Sequence, residues 1–579
     1  MISNFYHDPA LDTRLSSSKE LDIRLKLPKE ATQAELWIWN KVKWEQLGIE
    51  QIPLTRWAET EELAYYRTVW MSMEPRVRYL QYTFKFQLGG RIQWLNADGL
   101  HDTPERPVKG AFEFPYGGDR DAVHVPDWIK DRVWYQIFPE RFCNGDREND
   151  PVDTVPWGTP PTRDNTMGGD LQGIIDKLDY LSQLGINAIY LNPIFKAKSN
   201  HKYDTLDYFA IDPQFGSIED LRRLTELCHR RGIRVVLDLV INHCGYDHPY
   251  FQDVVQNGEK SPYRDWFYVH EYPVALSDSK YDSVWYYQWM PKIKTSNPQV
   301  KQYVFDIVSF WQKETGIDGW RVDVADEVEL SFLRELNSHV KQINHNAIII
   351  AEIWHDAKSL IMSGGVDSAM NYDMRSIMFD YVLDQSITIE QFHARLTRYA
   401  HRYAAAELNQ MYNLLGSHDT ERIMTRSGDR VDHLLLLIAM QYMLPGNPAL
   451  YYGDELGFVG ENDPGCRACM KWDDRYEYQP LWVYLRNWNR MKTSNAALQK
   501  GRLELQLAAS ENLYAIKRID GERQAVAVFN FSNEAKELSL IGTVFGLSIE
   551  QFQKASFPYQ IPEDRIAAGH FVLLLNDPL

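Results

Sequence analysis

Cysteine is scarce in this chain. There are five in 579 residues, Cys143, Cys228, Cys244, Cys466 and Cys469. An odd, sparse set cannot build a disulfide framework and fits a reducing compartment. Cys466 and Cys469 form a lone C-x-x-C with no second pair, which leaves them as ordinary thiols rather than half of a zinc site. Basic charge is also in deficit: 62 Lys and Arg stand against 80 Asp and Glu, a net charge of −18. That argues against nucleic acid or an anionic membrane as the main partner. No apolar run is long enough to span a bilayer. The opening stretch "MISNFYHDPALDTRL" lacks the basic and apolar regions of a secretory signal, so a cytoplasmic location is expected. There is no internal repeat and no low-complexity run.

What is present bounds the architecture. The chain is too long for one core, and an apolar fraction of 44% supports several well-packed domains. Aromatics reach 13%, with 18 Trp and 33 Tyr. Such rings suit sugar faces, but packing explains any single one at least as well. Residues 1–125 alternate in short stretches such as "AELWIWN" and "RVRYLQYTFKFQL", which predicts a β-sandwich. From 129 to 495, strand-like and helix-like segments alternate. Eight strands are expected, at 133–137, 187–192, 234–240, 318–324, 347–353, 366–371, 411–416 and 448–452. A helix is expected from Asp170 to Leu184, and another after Ser217, where Asp220 completes a near capping box. Eight β-then-α units read as a multidomain α/β protein built on a (β/α)8 barrel. The third connection, 243–296, is long enough to be an inserted subdomain. Residues 497–579 return to strand patterns and predict a C-terminal β-sandwich.

Four barrel segments end in polar residues: "IRVVLDLVINH", "GIDGWRVDVADE", "NAIIIAEIWH" and "YNLLGSHDTER". A carboxylate closing an apolar strand is costly to bury unless it has work to do. Asp238, Asp323, Glu352 and Asp419, with Arg321, His243 and His418, therefore point to one pocket at the strand ends. Their types suit acid, base and nucleophile chemistry on a polar substrate.

These motifs, in this order and spacing, resemble the α-amylase superfamily, glycoside hydrolase family 13. "SNHKYDTLDYFAIDPQFG" and "ALYYGDELG" match it too. "MPKIKT" and "VWYQIFPERFCNGD" are similar to the neopullulanase, cyclomaltodextrinase and maltogenic amylase subgroup, which also carries an N-terminal β-sandwich. Lys294 and Asp326 depart from it, each standing where Asn is usual. The resemblance implies a retaining glycosidase that cleaves α-1,4 bonds of cyclodextrins, maltooligosaccharides or pullulan, with α-1,6 bonds left open. It implies Asp323 as nucleophile, Glu352 as acid/base and Asp419 as the third carboxylate. Arg321, two residues before Asp323, would supply the charge that keeps the nucleophile ionised. Tyr203 would stack under the sugar, and His243 and His418 would bind hydroxyls. Asp238 would be an electrostatic partner, Trp354 an acceptor platform, and Asp463 with Arg467 a nearby loop pair.

A loop rich in oxygen donors raises a metal question. Asn144, Asp146, Asn149 and Asp150 fall in "NGDREND", with Gly168 and Asp170 downstream. Oxygen ligands suit a structural Ca²⁺, and the subgroup binds calcium in a matching loop. A solvated Asx-rich turn is the simpler alternative. Three other functions share the motifs: a glucanotransferase, a disaccharide isomerase, and a non-catalytic ancillary subunit of a transporter. The last lacks catalytic carboxylates and carries a membrane helix, unlike this chain. Trp37, Trp39, Trp44, Trp57 and Trp70 crowd the N-terminal region. Exposed aromatics mark interfaces, and in the subgroup this domain docks on a partner's barrel, so a homodimer is expected.

Overall fold

Strand segments that are almost wholly apolar are stable only when both sheet faces are covered. In the computed structural model, which describes residues 7–102, 110–118, 121–277, 279–472, 476, 479–555 and 564–576, these segments form eight parallel strands. They are β1 (Trp134–Ile137), β2 (Ala188–Leu191), β3 (Arg234–Leu239), β4 (Gly319–Val322), β5 (Ile348–Ala351), β6 (Ser368–Ala369), β7 (Tyr412–Leu414) and β8 (Asn447–Tyr451). Their spatial order is β6-β5-β4-β3-β2-β1-β8-β7. An isolated parallel bridge between Met370 and Tyr412 joins the two ends and closes the barrel.

Every predicted barrel strand is present; β4, β5 and β7 are each three residues shorter than expected, and β6 is shortened most. β6 was expected over 366–371 and is two residues long. Asp367 explains the shortening. Its carboxylate accepts the Ile349 N–H at 2.7 Å, taking a ladder position that a backbone carbonyl would otherwise fill. The predicted helix from Asp170 to Leu184 is two helices, Leu171–Asp176 and Leu178–Leu184. The break is at Lys177, which leaves helical geometry with φ −104°, and Asp170 is the N-cap, accepting from Gly173 N. The helix Ile218–Arg230 carries the capping box of Ser217 and Asp220.

The segment between β3 and β4 contains the helix Pro249–Asn257 and several single turns. Bridges His243–Lys292 and Phe267–Ile293 pin it against the end of β3. On the N-terminal side, a four-stranded antiparallel sheet pairs Thr13–Ser17, Glu20–Pro28, Leu63–Met71 and Thr55–Glu59 in that order. It faces a second sheet built on Thr32–Asn40 and Arg78–Leu88, with Leu25, Ile38, Tyr82 and Phe84 in the core between. At the C-terminal side, a five-stranded antiparallel sheet is centred on Arg523–Asn530.

The tryptophans of the first domain do not form an exposed patch. Trp39, Trp57 and Trp70 are buried, and Trp37 packs edge-on against Trp94. Their clustering reflects packing, so it is no evidence for an interface. All five cysteines are buried and free. Among the described residues, no helix is long and apolar enough to cross a membrane.

Candidate active site

Side chains alternate along a strand, so every second residue of a barrel strand points inward. Trp134, Ala188, Tyr190, Val236, Ile348, Ile350, Tyr412 and Leu414 fill the barrel interior. The same lines continue two residues further into Gln136, Asn192, Asp238 and Glu352. Arg321 and Asp323 lie on the corresponding line of β4. Apolar layers below and polar residues above place all of these groups at the C-terminal face of the barrel.

Arg321 is the hub. It is 1% exposed, and β4 sets it in register beside Asp238 of β3. Its Nη1 donates to Asp238 Oδ1 at 2.9 Å and to Asp323 Oδ1 at 2.7 Å. Its Nη2 lies 2.9 Å from Glu352 Oε2. One planar guanidinium thus touches three carboxyl groups from three adjacent strands. Asp323 and Glu352 can be no farther apart than it can reach. The Val324 N–H donates to Glu352 Oε2 at 2.9 Å. Val324 does so from φ 43°, a left-handed conformation that costs a β-branched residue and persists only where surroundings enforce it.

A second network fixes the histidines. Gln136 Nε2 donates to His418 Nδ1 at 2.8 Å, which assigns the ring proton to Nε2. That nitrogen lies 2.6 Å from the Tyr203 hydroxyl and 3.1 Å from Asp419 Oδ2. Tyr203 in turn donates to Asp238 Oδ2 at 2.9 Å, and its ring stacks on His418. Arg467 spans Asp419 at 3.2 Å and Asp463 at 2.9 Å. His243 stands apart. It is buried, neither ring nitrogen has a partner, and its Nε2 is 3.8 Å from Asp323. Trp354 Nε1 donates to Glu352 Oε1 at 3.2 Å, and its ring stacks on Tyr372 at 4.0 Å and 11°. Yet Trp354 is 43% exposed, so it both packs and offers a free edge.

Burial governs ionisation here. It pushes the Asp323 carboxyl well above the usual range, with Arg321 opposing and Glu352 reinforcing. It raises Asp238 as well, again against Arg321. Asp419 is pushed up to about 7 by its protein surroundings and by the charge of Glu352. Burial pulls His243 down to about 3 and holds His418 far below its ordinary value. Both histidines are therefore neutral near pH 7 and can donate hydrogen bonds without adding charge.

All eleven residues singled out for catalysis and sugar binding come together at this face. Two departures from the subgroup pattern also find partners: Asp326 pairs with His355 at 3.0 Å, and Lys294 lies over the Tyr268 ring. Sequence reasoning missed Gln136, Tyr190, Asn192 and Tyr372. Tyr190 donates to Asp238 at 2.6 Å, and Asn192 donates to Tyr203 at 3.0 Å. The signal that could have found Gln136 and Asn192 was position: each ends an inward line of β1 or β2.

The oxygen-rich loop sits at the end of β1. Asn144 Nδ2 donates to Asp150 Oδ1 at 2.7 Å, and a Cβ on Gly168 would lie 2.1 Å from that same oxygen. Asp170 spends both oxygens on the N–H groups of Gly145, Asp146 and Gly173. Asp146 turns away and caps the turn at Glu148.

The chain is similar to known proteins over most of its length. A family model described as the α-amylase catalytic domain matches residues 136–518. A cyclomaltodextrinase of a Bacillus species is 40% identical over 499 residues, covering 86% of this chain and 88% of that protein. An intracellular maltogenic amylase of Bacillus subtilis is 37% identical over 548 residues, 92% of each chain. A solved cyclomaltodextrinase structure matches the whole of both chains with a TM-score of 0.87 at 34% identity. With a match of that extent, on a barrel whose strand ends converge on four carboxyl groups, the chain belongs to the α-amylase family and is a glycoside hydrolase.

Proposed function

We propose that this enzyme is a retaining α-glucan hydrolase that acts on cyclodextrins and short maltooligosaccharides, and on pullulan. The observation that carries the reading is the contact of one buried guanidinium with both Asp323 and Glu352. Retaining glycosidases need two carboxyl groups about 5–5.5 Å apart, and a shared arginine holds such a pair close. Asp323 attacks the anomeric carbon as Glu352 gives its proton to the glycosidic oxygen, which releases the first sugar. Glu352 then takes a proton from water, and that water displaces Asp323 by attacking the opposite face, the one the first sugar left. Arg321 stabilises the carboxylate that attacks. His243, His418 and Asp419 bind hydroxyls, and the face of Tyr203 supports the ring. The cyclodextrin preference is supported by the relatives' names, and a cytoplasmic location by the "intracellular" relative.

Transglycosylation is the second reading, and the exposed edge of Trp354 beside Glu352 favours it. A sugar resting there can replace water as acceptor.

The loop at the end of β1 fits a hard cation in part. Asn144 Oδ1 and Asn149 Oδ1 are buried without hydrogen-bond partners, and Gly168 lies against Asp150 and the Asn144 amide. Among the described residues, no group of three His, Cys, Asp or Glu could hold a metal. A cation here would rely on amide and backbone oxygens with Asp150, which suits Ca²⁺. It would stabilise the loop and take no part in the chemistry.

The homodimer is retained in our reading on other grounds than tryptophan content. Val69, Met71, Met73 and Ile92 of the first domain are exposed, as are Trp285, Tyr286 and Trp289 of the insertion. Apolar groups in such numbers favour burial against a second copy.

Asp323→Asn should lower turnover roughly 10⁴-fold, while Glu352→Gln should keep the first step on substrates with good leaving groups. NMR of the first wild-type product should give the α-anomer, and an initial β-anomer contradicts the mechanism. Asp419 binds its proton more tightly folded than unfolded, so its ionisation should cost stability as pH rises from about 4 to 7. Asp419→Asn should therefore raise the melting temperature at pH 8 more than at pH 5 while impairing turnover, and equal shifts would contradict this. Exhaustive chelation should lower the melting temperature; an unchanged curve with no metal by elemental analysis removes calcium. Sedimentation should show a dimer. A full-length monomer that still prefers cyclodextrin to starch would exclude a partner-covered cleft.

A further inference from the structure

The helix Ile389–Arg402 ends against the N-terminal domain. Tyr403 leaves the helix in extended geometry, so the last carbonyls lack helical partners. Two arginines of the other domain supply them. Arg24 Nη1 donates to the carbonyls of His401 at 3.2 Å and Arg402 at 2.8 Å. Arg67 Nη2 donates to Ala400 and Tyr403. Asp22, fully buried beside both arginines, accepts the Ala405 N–H at 3.2 Å. The Trp57 ring stacks on His401 at 11°. Cationic donors at a helix C-terminus are favoured by the carbonyl dipoles.

The residues held by their backbones use their side chains towards the active site. Arg402 Nη1 contacts Asp356 Oδ1 at 3.2 Å and Asp373 Oδ2 at 2.6 Å. The Tyr403 hydroxyl donates to the same Asp356 oxygen at 3.0 Å. Asp356 lies two residues after Trp354, and Asp373 directly follows Tyr372. These are the two rings that stack beside Glu352. One guanidinium therefore ties together the two segments whose aromatic rings form the platform.

We propose that Arg402 is a positioning residue for the Trp354–Tyr372 ring pair, anchored by Arg24 and Arg67, so that the N-terminal domain sets acceptor use within its own chain. The proposal rests on the glycosidase reading, in which Trp354 faces the acceptor sugar. It differs from the covering of a cleft by a second copy, because every contact named is within one chain. The ion pairs of Arg402 are partly exposed and contribute little to overall stability, so their loss should loosen the platform without unfolding the barrel.

The test uses the full-length enzyme and the variants Arg402→Gln, Arg402→Lys, Asp373→Asn and Arg24→Gln. Melting curves establish folding. The readouts are kcat and KM on maltotriose, the ratio of transfer to hydrolysis products, and the rate of aryl release from an aryl α-maltoside. For Arg402→Gln and Asp373→Asn, KM should rise and the transfer ratio should fall by roughly 3–10-fold, with aryl release within about twofold. Arg402→Lys should recover part of the loss, and Arg24→Gln should move both readouts in the same direction. Folded Arg402→Gln and Asp373→Asn enzymes with wild-type KM and transfer ratio would overturn the proposal while leaving the glycosidase reading intact. If Arg402→Gln does not fold, Asp373→Asn decides alone. A wild type inactive on every α-glucan would overturn both.

Discussion

A single buried positive charge organises the active face. Removing an arginine from water is expensive unless carboxylates in good geometry surround it, and burying those carboxylates is expensive without the arginine. Arg321 and its partners Asp238, Asp323 and Glu352 resolve both costs together. Because the partners belong to β3, β4 and β5, the same contacts fix the relative heights of three strand ends. One charge among three carboxyl groups also cannot neutralise them all. Burial pushes Asp238 and Asp323 towards their protonated forms, and the Arg321 charge opposes that shift at both. A retaining glycosidase needs one carboxylate to attack and one carboxylic acid to donate.

The other groups are arranged so as not to disturb this balance. His243 and His418 are stripped of charge by burial. A protonated histidine beside Asp323 would compete with Arg321, whereas a neutral ring can donate to a sugar hydroxyl. Arg467 plays for Asp419 a weaker version of the part that Arg321 plays for Asp323, since Asp419 opens to the cleft. The left-handed Val324 and the partnerless nitrogens of His243 are places where stability is given up to hold a group ready.

The central chemistry was legible because it is local in sequence. Asp238, Arg321, Asp323 and Glu352 sit at the ends of apolar runs, where alternation along the strand aims them inward, and Asp419 follows in the turn after β7. Residues of ordinary core type were not legible. Tyr190 and Tyr372 matter only through neighbours on other strands, and nothing within their own segments marks them. The clamp on Arg402 was invisible for the same reason in extreme form, since Arg24 and the carbonyl it caps are 378 residues apart. The tryptophans of the first domain were misread because abundance carries no information about exposure. The break at Lys177 and the shortening of β6 turn on single backbone and side-chain hydrogen bonds that periodicity does not report.

The central claim is that Asp323 is the attacking carboxyl group and that its reactivity depends on the contact with Arg321. Covalent trapping tests it directly. The enzyme would be incubated with a fluorinated α-glycosyl fluoride that forms the glycosyl-enzyme but hydrolyses slowly, then digested and mapped by mass spectrometry. The account predicts one adduct, on the peptide bearing Asp323, and loss of that adduct in a folded Arg321→Met variant. An adduct on Glu352 or Asp419, or undiminished labelling of Asp323 without Arg321, would contradict it.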